Sequence, residues 1–290
     1  MEWVAVLVGI GVLGLAYSAG WEVRAFTLRR VTVPVLPPGS EPLRVLHLSD
    51  LHLTPRQHRK ARWLRALARE RPDFVVVTGD FIAHADGVPA VLDALAPLRE
   101  VPGAFVFGSN DYYGPKPKNP ARYLMPDNGT RIHGVDLPWR DLRDALVASG
   151  WRDLTHTCRT DVVAGLTIEQ RGVDDAHLER DDYRLVQGPR GEAALSIGVT
   201  HAPYLRVLDA MEADGVDLVF AGHTHGGQLR LPGVGALVTN CDLDRARARG
   251  LHRHRQAWLH VSAGCGTNPY TPVRFACRPE ATLLTLVAAS

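Results

Sequence analysis

The segment Ala221-Gly222-His223-Thr224-His225-Gly226-Gly227-Gln228 decides how the chain is read. It follows Val216-Asp217-Leu218-Val219-Phe220, a short apolar run. An apolar run of that length closing on a glycine predicts a buried strand entering a tight loop. Histidines two positions apart leave a strand end on the same side, because side chains repeat every two residues. Gly222, Gly226 and Gly227 let the backbone turn sharply and approach whatever the imidazoles hold. A turn that merely contains two histidines satisfies the same letters, so a metal reading needs donors from elsewhere.

Those donors belong in an ordinary globular chain. It has 290 residues, 46% hydrophobic and 22% charged, enough for one large domain or two small ones. The net charge of +2 carries no polyelectrolyte signature, so nucleic acid is not an expected partner. Cys158, Cys241, Cys265 and Cys277 form no C-x-x-C pair, which argues against a zinc ribbon and a disulfide framework.

The beginning of the chain differs from the rest. Trp3–Ala19 is uncharged and rich in Val, Leu, Gly and Ala. It stands near the lower limit for a membrane-spanning helix, roughly 17–25 residues. Residues 1–22 read as an uncleaved single-pass membrane anchor. A signal peptide and a buried helix are the rivals, and Glu2 in place of a basic n-region weighs against the former. Arg24, Arg29 and Arg30 favour a cytoplasmic location for the domain after them. Residues 23–42 then read as an edge strand, Ala25–Val35, and a linker broken by Pro37-Pro38-Gly39. A single domain spans 43–290.

Within that domain the strand-end pattern recurs. Leu43–Leu48 runs into Ser49-Asp50-Leu51-His52, Asp73–Thr78 into Gly79-Asp80, and Gly103–Phe107 into Gly108-Ser109-Asn110-Asp111. Helical stripes at Arg56–Glu70 and Val88–Arg99 separate them, and Ala193–Val199 runs into Thr200-His201. The rhythm is β-α-β, with strands too apolar to be exposed on either face, which predicts the α/β class. In open α/β sheets, ligands bind at the carboxyl ends of strands. Tyr112–Pro138 interrupts the rhythm with prolines, glycines, Tyr112, Tyr113 and Arg122. A long loop of this kind reads as a substrate-covering segment, with a solvated insertion as the alternative. His47, His58, His84 and His177 read as packing, surface or loop residues.

The strand ends together supply Asp50, His52, Asp80, Ser109 or Asn110, His201, His223 and His225. Two carboxylates, four imidazoles and an amide suit a pair of divalent transition metals such as Mn, Fe, Zn or Ni better than Mg or Ca. Each motif is weak alone; their joint appearance after apolar strands is strong.

The order Asp-x-His, Gly-Asp, Gly-Ser-Asn-Asp, His and Gly-His-Thr-His resembles the calcineurin-like metallophosphoesterase family from about Arg44 to Leu286. The tail Val261–Thr267 with Arg274-Phe275 and Arg278-Pro279-Glu280 resembles a phosphodiesterase-like branch whose members often carry an N-terminal membrane segment. The resemblance implies a four-layer α/β/β/α sandwich and a dinuclear metal site. It implies Asp50, His52, Asp80 and His225 on one ion, with Asp80 bridging to a second held by His201, His223 and an amide. It also implies in-line attack of a metal-bridging hydroxide on a phosphoester.

The third motif departs from the family pattern, Gly-Asn-His-Asp or Gly-Asn-His-Glu. Ser109 stands at the asparagine position and Asn110 at the histidine position, followed by Asp111. The favoured reading has the amide of Asn110 reaching the metal, and Asn110 and Asp111 taking part in the chemistry. Loss of the histidine removes the usual proton donor to the leaving group, a cost of roughly 10²–10⁴-fold for poor leaving groups. Phosphodiesters or phosphoanhydrides of a lipid-linked or envelope molecule are the expected substrates. A soluble nucleotide or cyclic phosphodiester is the alternative enzyme reading, and a catalytically weak metal-dependent scaffold the non-enzyme one.

Overall fold

A computed structural model describes residues 2–117 and 134–289. Two six-stranded sheets organise the chain. The first runs, in spatial order, β1 (Thr27–Leu36), β14 (Glu280–Ala288), β2 (Leu43–Leu48), β3 (Phe74–Thr78), β4 (Gly103–Val106) and β5 (Arg152–Asp153). Only its β14–β2 pair is antiparallel. The second runs β12 (Gly250–His254), β13 (Ala257–Val261), β9 (Leu218–Ala221), β8 (Leu195–Val199), β7 (Leu166–Gly172) and β6 (Thr157–Val163). It is parallel in its centre and antiparallel at β12–β13 and β6–β7. A small ribbon joins β10 (Arg230–Leu231) to β11 (Gly235–Ala236).

The apolar strands explain the layering. In β3, Val75 and Val77 enter one core while Phe74 and Val76 enter another. In β9, Leu218 and Phe220 face the core between the sheets, and Val219 and Ala221 face a third. The outer core on the first sheet is closed by Leu64 of α2 (His58–Ala66), Leu95 of α3 (Val88–Leu95) and Leu146 of α5 (Trp139–Ala148). On the second sheet, Val207, Leu208 and Met211 of α6 (Leu205–Ala213) close it. The layering is α/β/β/α. Strands buried on both faces must be apolar throughout, so polar residues collect at their ends.

Residues 23–42, read as a segment ahead of the domain, contribute the outer strand of its first sheet. β1 pairs with β14 from Thr27↔Glu280 to Leu36↔Ala288.

The expected single-pass anchor is not shown by the helices described. α1 (Glu2–Ala16) has 15 residues. At about 1.5 Å per residue it is roughly 22 Å long, against about 30 Å of bilayer hydrocarbon. No helix among the described residues is long and apolar enough to cross a membrane. The reason lies in the next turn of the chain. Tyr17–Trp21 forms a π turn and docks on the domain: the Arg274 backbone N–H donates to the Ser18 carbonyl at 3.2 Å. Buried Glu22 accepts from the backbone N–H groups of Ala276 and Cys277. The uncharged run is therefore divided between a projecting helix and a docked root. On the helix, Trp3 is 82% and Leu13 71% exposed.

Arg122, and most of the expected substrate loop at 112–138, lie outside the described residues.

Candidate metal centre

The strand ends of both sheets meet at one edge. Asp50 and His52 follow β2, Asp80 follows β3, and Ser109-Asn110 follows β4 in the short α4 (Ser109–Tyr112). From the second sheet, His201 follows β8, and His223 and His225 follow β9. Of the thirteen non-glycine residues with positive φ among the described residues, five are Asp50, His52, Asp80, His223 and His225. Such backbone costs of order 1–3 kcal/mol each and persists where surrounding structure over-determines it. Gly222 allows the closest approach: a Cβ there would collide with the Ser49 hydroxyl and with Asp50 Oδ2.

Five donor atoms converge. His52 Nε2 lies 3.3 Å from His225 Nε2 and 3.5 Å from Asp80 Oδ2. His225 Nε2 lies 3.6 Å from Asp50 Oδ1, and His201 Nε2 lies 3.7 Å from Asp80 Oδ2. Asp80 Oδ2 thus stands between His52 and His201. Two overlapping groups can each hold a cation: Asp50, His52 and His225, and Asp50, Asp80 and His201. An ion with bonds of about 2.1 Å sets its ligands roughly 3.0–3.4 Å apart, close to this spacing.

The rings are oriented for this. His201 Nδ1 donates to the Thr78 carbonyl at 2.7 Å, which turns Nε2 toward Asp80. His223 Nε2 donates to the Asn240 carbonyl at 3.2 Å, leaving Nδ1 as the basic nitrogen of the neutral ring. His223 packs beside His201 with ring centroids 5.2 Å apart. The guanidinium of buried Arg274 faces His225 Nδ1 at 3.3 Å and holds the carbonyls of Ala263 and Gly266.

Electrostatics point the same way. Burial pushes the Asp50 carboxyl up to about 6 and the His52 imidazole down to about 4. Burial likewise holds His225 well below the ordinary histidine range. The neutral imidazoles of His52 and His225 are in the protonation state a cation requires. Burial also opposes charge on His201, yet the carboxylates of Asp80, Asp175 and Asp50 outweigh it and raise that ring to about 9. The same carboxylates would attract a metal ion in place of that proton. Asp50 Oδ1 and His201 Nε2 are buried without a hydrogen-bond partner. Orphaned polar atoms of this kind are costly unless something pairs with them. The donor set fits divalent transition metals.

The third motif packs against Asp80. Asn110 Nδ2 donates to Asp80 Oδ2 at 2.7 Å, and the Asn110 backbone N–H to Asp80 Oδ1 at 2.8 Å. The amide of Asn110, rather than the hydroxyl of Ser109, meets the carboxylate between the two donor groups. Asp111, expected to share in the chemistry, is fully buried and turned away. Its carboxylate accepts the backbone N–H groups of Asp80 (2.7 Å), Phe81 (2.7 Å), Ile82 (3.2 Å) and Gly108 (3.0 Å), bracing one metal-binding turn against the next. Tyr112, expected to touch substrate, is 3% exposed. Its hydroxyl donates to Asp174 at 2.6 Å and the Arg180 guanidinium covers its ring. Tyr113 forms an isolated backbone bridge with Asp136.

Two residues near the site were not expected there: Asp175 was overlooked in the sequence, and His177 was read as a loop residue. Asp175 is fully buried, its Oδ2 has no partner, and its charge acts on His201. His177 packs on His223 with ring centroids 4.3 Å apart. The signal was present: Gly172-Val173-Asp174-Asp175-Ala176-His177 leaves the end of β7 as the other motifs leave theirs.

A model of the calcineurin-like phosphoesterase family matches residues 43–227. The chain is 25% identical over 280 residues to "Phosphodiesterase YaeI" of Escherichia coli (strain K12), covering 94% of this chain and 93% of that protein. It is 25% identical over 261 residues to "Uncharacterized metallophosphoesterase YkuE" of Bacillus subtilis (strain 168), covering 87% and 82%. It is 28% identical to a Bos taurus "Transmembrane protein with metallophosphoesterase domain", covering 97% of this chain and 60% of the relative. Among solved structures, TT1561 of Thermus thermophilus aligns with a TM-score of 0.43 at 13% identity, covering 77% of this chain and 90% of the other. With every converging donor from Asp50 to His225 inside the matched stretch, the chain belongs to the calcineurin-like phosphoesterase family and is a metal-dependent phosphoric ester hydrolase.

Proposed function

We propose that this chain hydrolyses a phosphodiester or phosphoanhydride at a membrane surface, the substrate being lipid-linked or part of the cell envelope. The observation that carries the hydrolytic part is the convergence of Asp50, His52, Asp80, His201 and His225 around buried, unpartnered donor atoms. Asp50, His52, Asp80 and His225 would hold one divalent ion. Asp80, His201, His223 and the carbonyl face of the Asn110 amide would hold the other. Ions bound there supply Lewis acidity toward water and the phosphoryl oxygens.

The chain's own residues fix the arrangement. Asp111 keeps the Asp80 turn in register with Gly108. Thr78 keeps the His201 ring in one tautomer. Asn110 carries an amide where the family pattern has an imidazole, so it has no acidic proton for a departing oxygen. Esters whose leaving group departs unaided, such as aryl diesters and anhydrides, are favoured over alkyl esters. The membrane part of the reading is supported by α1, where Trp3, Ile10 and Leu13 project into solvent from a root docked beside Arg274. An exposed apolar helix of this kind suits the interfacial region of a bilayer.

The test is turnover of bis(p-nitrophenyl) phosphate by Mn-loaded protein against its Asp80→Asn variant. A loss of at least about 10²-fold is expected, beyond the 10–100-fold typical of residues that only orient metal ligands. Full metal content with no Asp80-dependent turnover would instead favour a catalytically weak scaffold.

A further inference from the structure

A pocket, partly open to solvent, adjoins the metal centre. Its walls include Leu229, Leu237, Val238 and Val273, together with His225 and Asn240. Among the described residues lining it, none is Asp, Glu, Lys or Arg. His225 belongs both to this wall and to the converging donors, and the Asn240 carbonyl orients His223. A phosphoester bound at the donors therefore has an apolar chamber at its side.

The far wall leads to α1. Gln228 Nε2 donates to the Thr271 carbonyl at 2.9 Å, and the Phe275 N–H donates to the Gln228 carbonyl at 3.0 Å, tying the two walls together. The Phe275 ring meets Tyr17 edge-on with centroids 6.2 Å apart, and Arg274 holds Ser18. One segment, 271–277, thus faces the cavity at Val273 and the root of the apolar helix at Phe275. Tyr270 and Leu231 on its flanks are 55% and 47% exposed.

We infer that this cavity is a hydrocarbon subsite, seating the carbons next to the phosphate of an acyl-chain or isoprenoid phosphoester delivered from the membrane side by way of the α1 root. The inference rests on the hydrolase reading above for the position of the phosphate. A nucleoside substituent suits the chamber less well, because a base needs hydrogen-bonding partners and the Gln228 amide is already committed to Thr271. Apolar area removed from water drives the binding.

The experiment is isothermal titration of the full, Mn-loaded chain with n-octyl phosphate and with methyl phosphate, repeated on Val273→Trp and Leu237→Trp. These variants fill the chamber from separate walls, and thermal melts confirm folding. We expect octyl phosphate to bind at least tenfold more tightly than methyl phosphate, and the ratio to fall below threefold in the tryptophan variants. Equal affinities in the unaltered chain would overturn the inference without recourse to any variant. A ratio that survives both tryptophans would assign the binding to α1 and overturn it equally. Turnover of bis(p-nitrophenyl) phosphate with no chain-length preference removes the subsite alone. A chain-length preference with no turnover supports the subsite and removes the hydrolase reading alone.

Discussion

Asp50, His52 and His225 turn their donor atoms directly toward one another, whereas Asp80, His201 and His223 reach their place through neighbours. In the first group all three residues have positive φ, and His52 and His225 sit 3.3 Å apart. Asp80 and His223 share that backbone conformation, and in the first group Ser49 and the His223 N–H hold Asp50 while Arg274 faces His225. In the second group, Thr78 and Asn240 hold the rings, Asn110 holds Asp80, and Asp175 and His177 crowd the far side. The departure from the family pattern at Ser109-Asn110 falls in this second group. Left-handed backbone is common to both groups, and in the second it is supplemented by neighbours that can be exchanged one at a time.

Several substitutions break or sharpen that contrast. Asp50 is assigned to the first ion, and its carboxylate also lies within ligand distance of Asp80 and His201, so Asp50→Asn should remove the first ion and weaken the second. Turnover of an aryl phosphodiester should fall roughly 10³-fold or more, the scale of losing an electrostatic stabiliser of the transition state. A drop confined to one ion's worth of metal would show the groups to be independent. Asn110→His should raise turnover of alkyl phosphodiesters by about 10²-fold while changing p-nitrophenyl esters little, since only the poor leaving group needs a proton. Equal gains on both substrates would mean that the imidazole acts as a ligand instead.

Smaller effects test the supporting residues. Asp175→Asn should weaken one of two Mn equivalents about 10–100-fold in a competition titration, the range for residues that orient ligands. Both equivalents weakening together would place Asp175 in the general field of the site and not in its second half. Asp111→Ala leaves four buried N–H groups without their acceptor and should cost about 3 kcal/mol of stability. Chemical denaturation of the metal-free protein measures this, and an unchanged midpoint would remove Asp111 from its bracing role.

The fold and the converging donors were legible because both follow from short-range rules. An apolar run marks a buried strand, and a polar group after a glycine marks its end. His52 and His225 can be found that way although β2 and β9 lie in different sheets. What was not legible depends on tertiary contact. Asp111 reads like another acidic ligand, and only the placement of the Asp80 turn shows its carboxylate spent on backbone N–H groups. Tyr112 looks like loop material until Asp174 and Arg180 enclose it. The apolar N-terminus reads as one continuous span because nothing local announces that Glu22 docks on Ala276 and Cys277, 254 and 255 residues away. Asp175 and His177 carried the right local signature, but the hairpin β6–β7 disguised the strand end they follow.

The central claim is that seven residues, drawn from the ends of β2, β3, β4, β8 and β9, hold two ions with Asp80 between them. Anomalous diffraction from Mn-loaded crystals tests it most directly. The account predicts two anomalous peaks about 3.5–4 Å apart, the spacing of two-metal hydrolytic sites. One should be flanked by Asp50, His52 and His225, the other by His201, His223 and Asn110, with Asp80 touching both. A single peak, or a second peak that Asp80 does not reach, would contradict it.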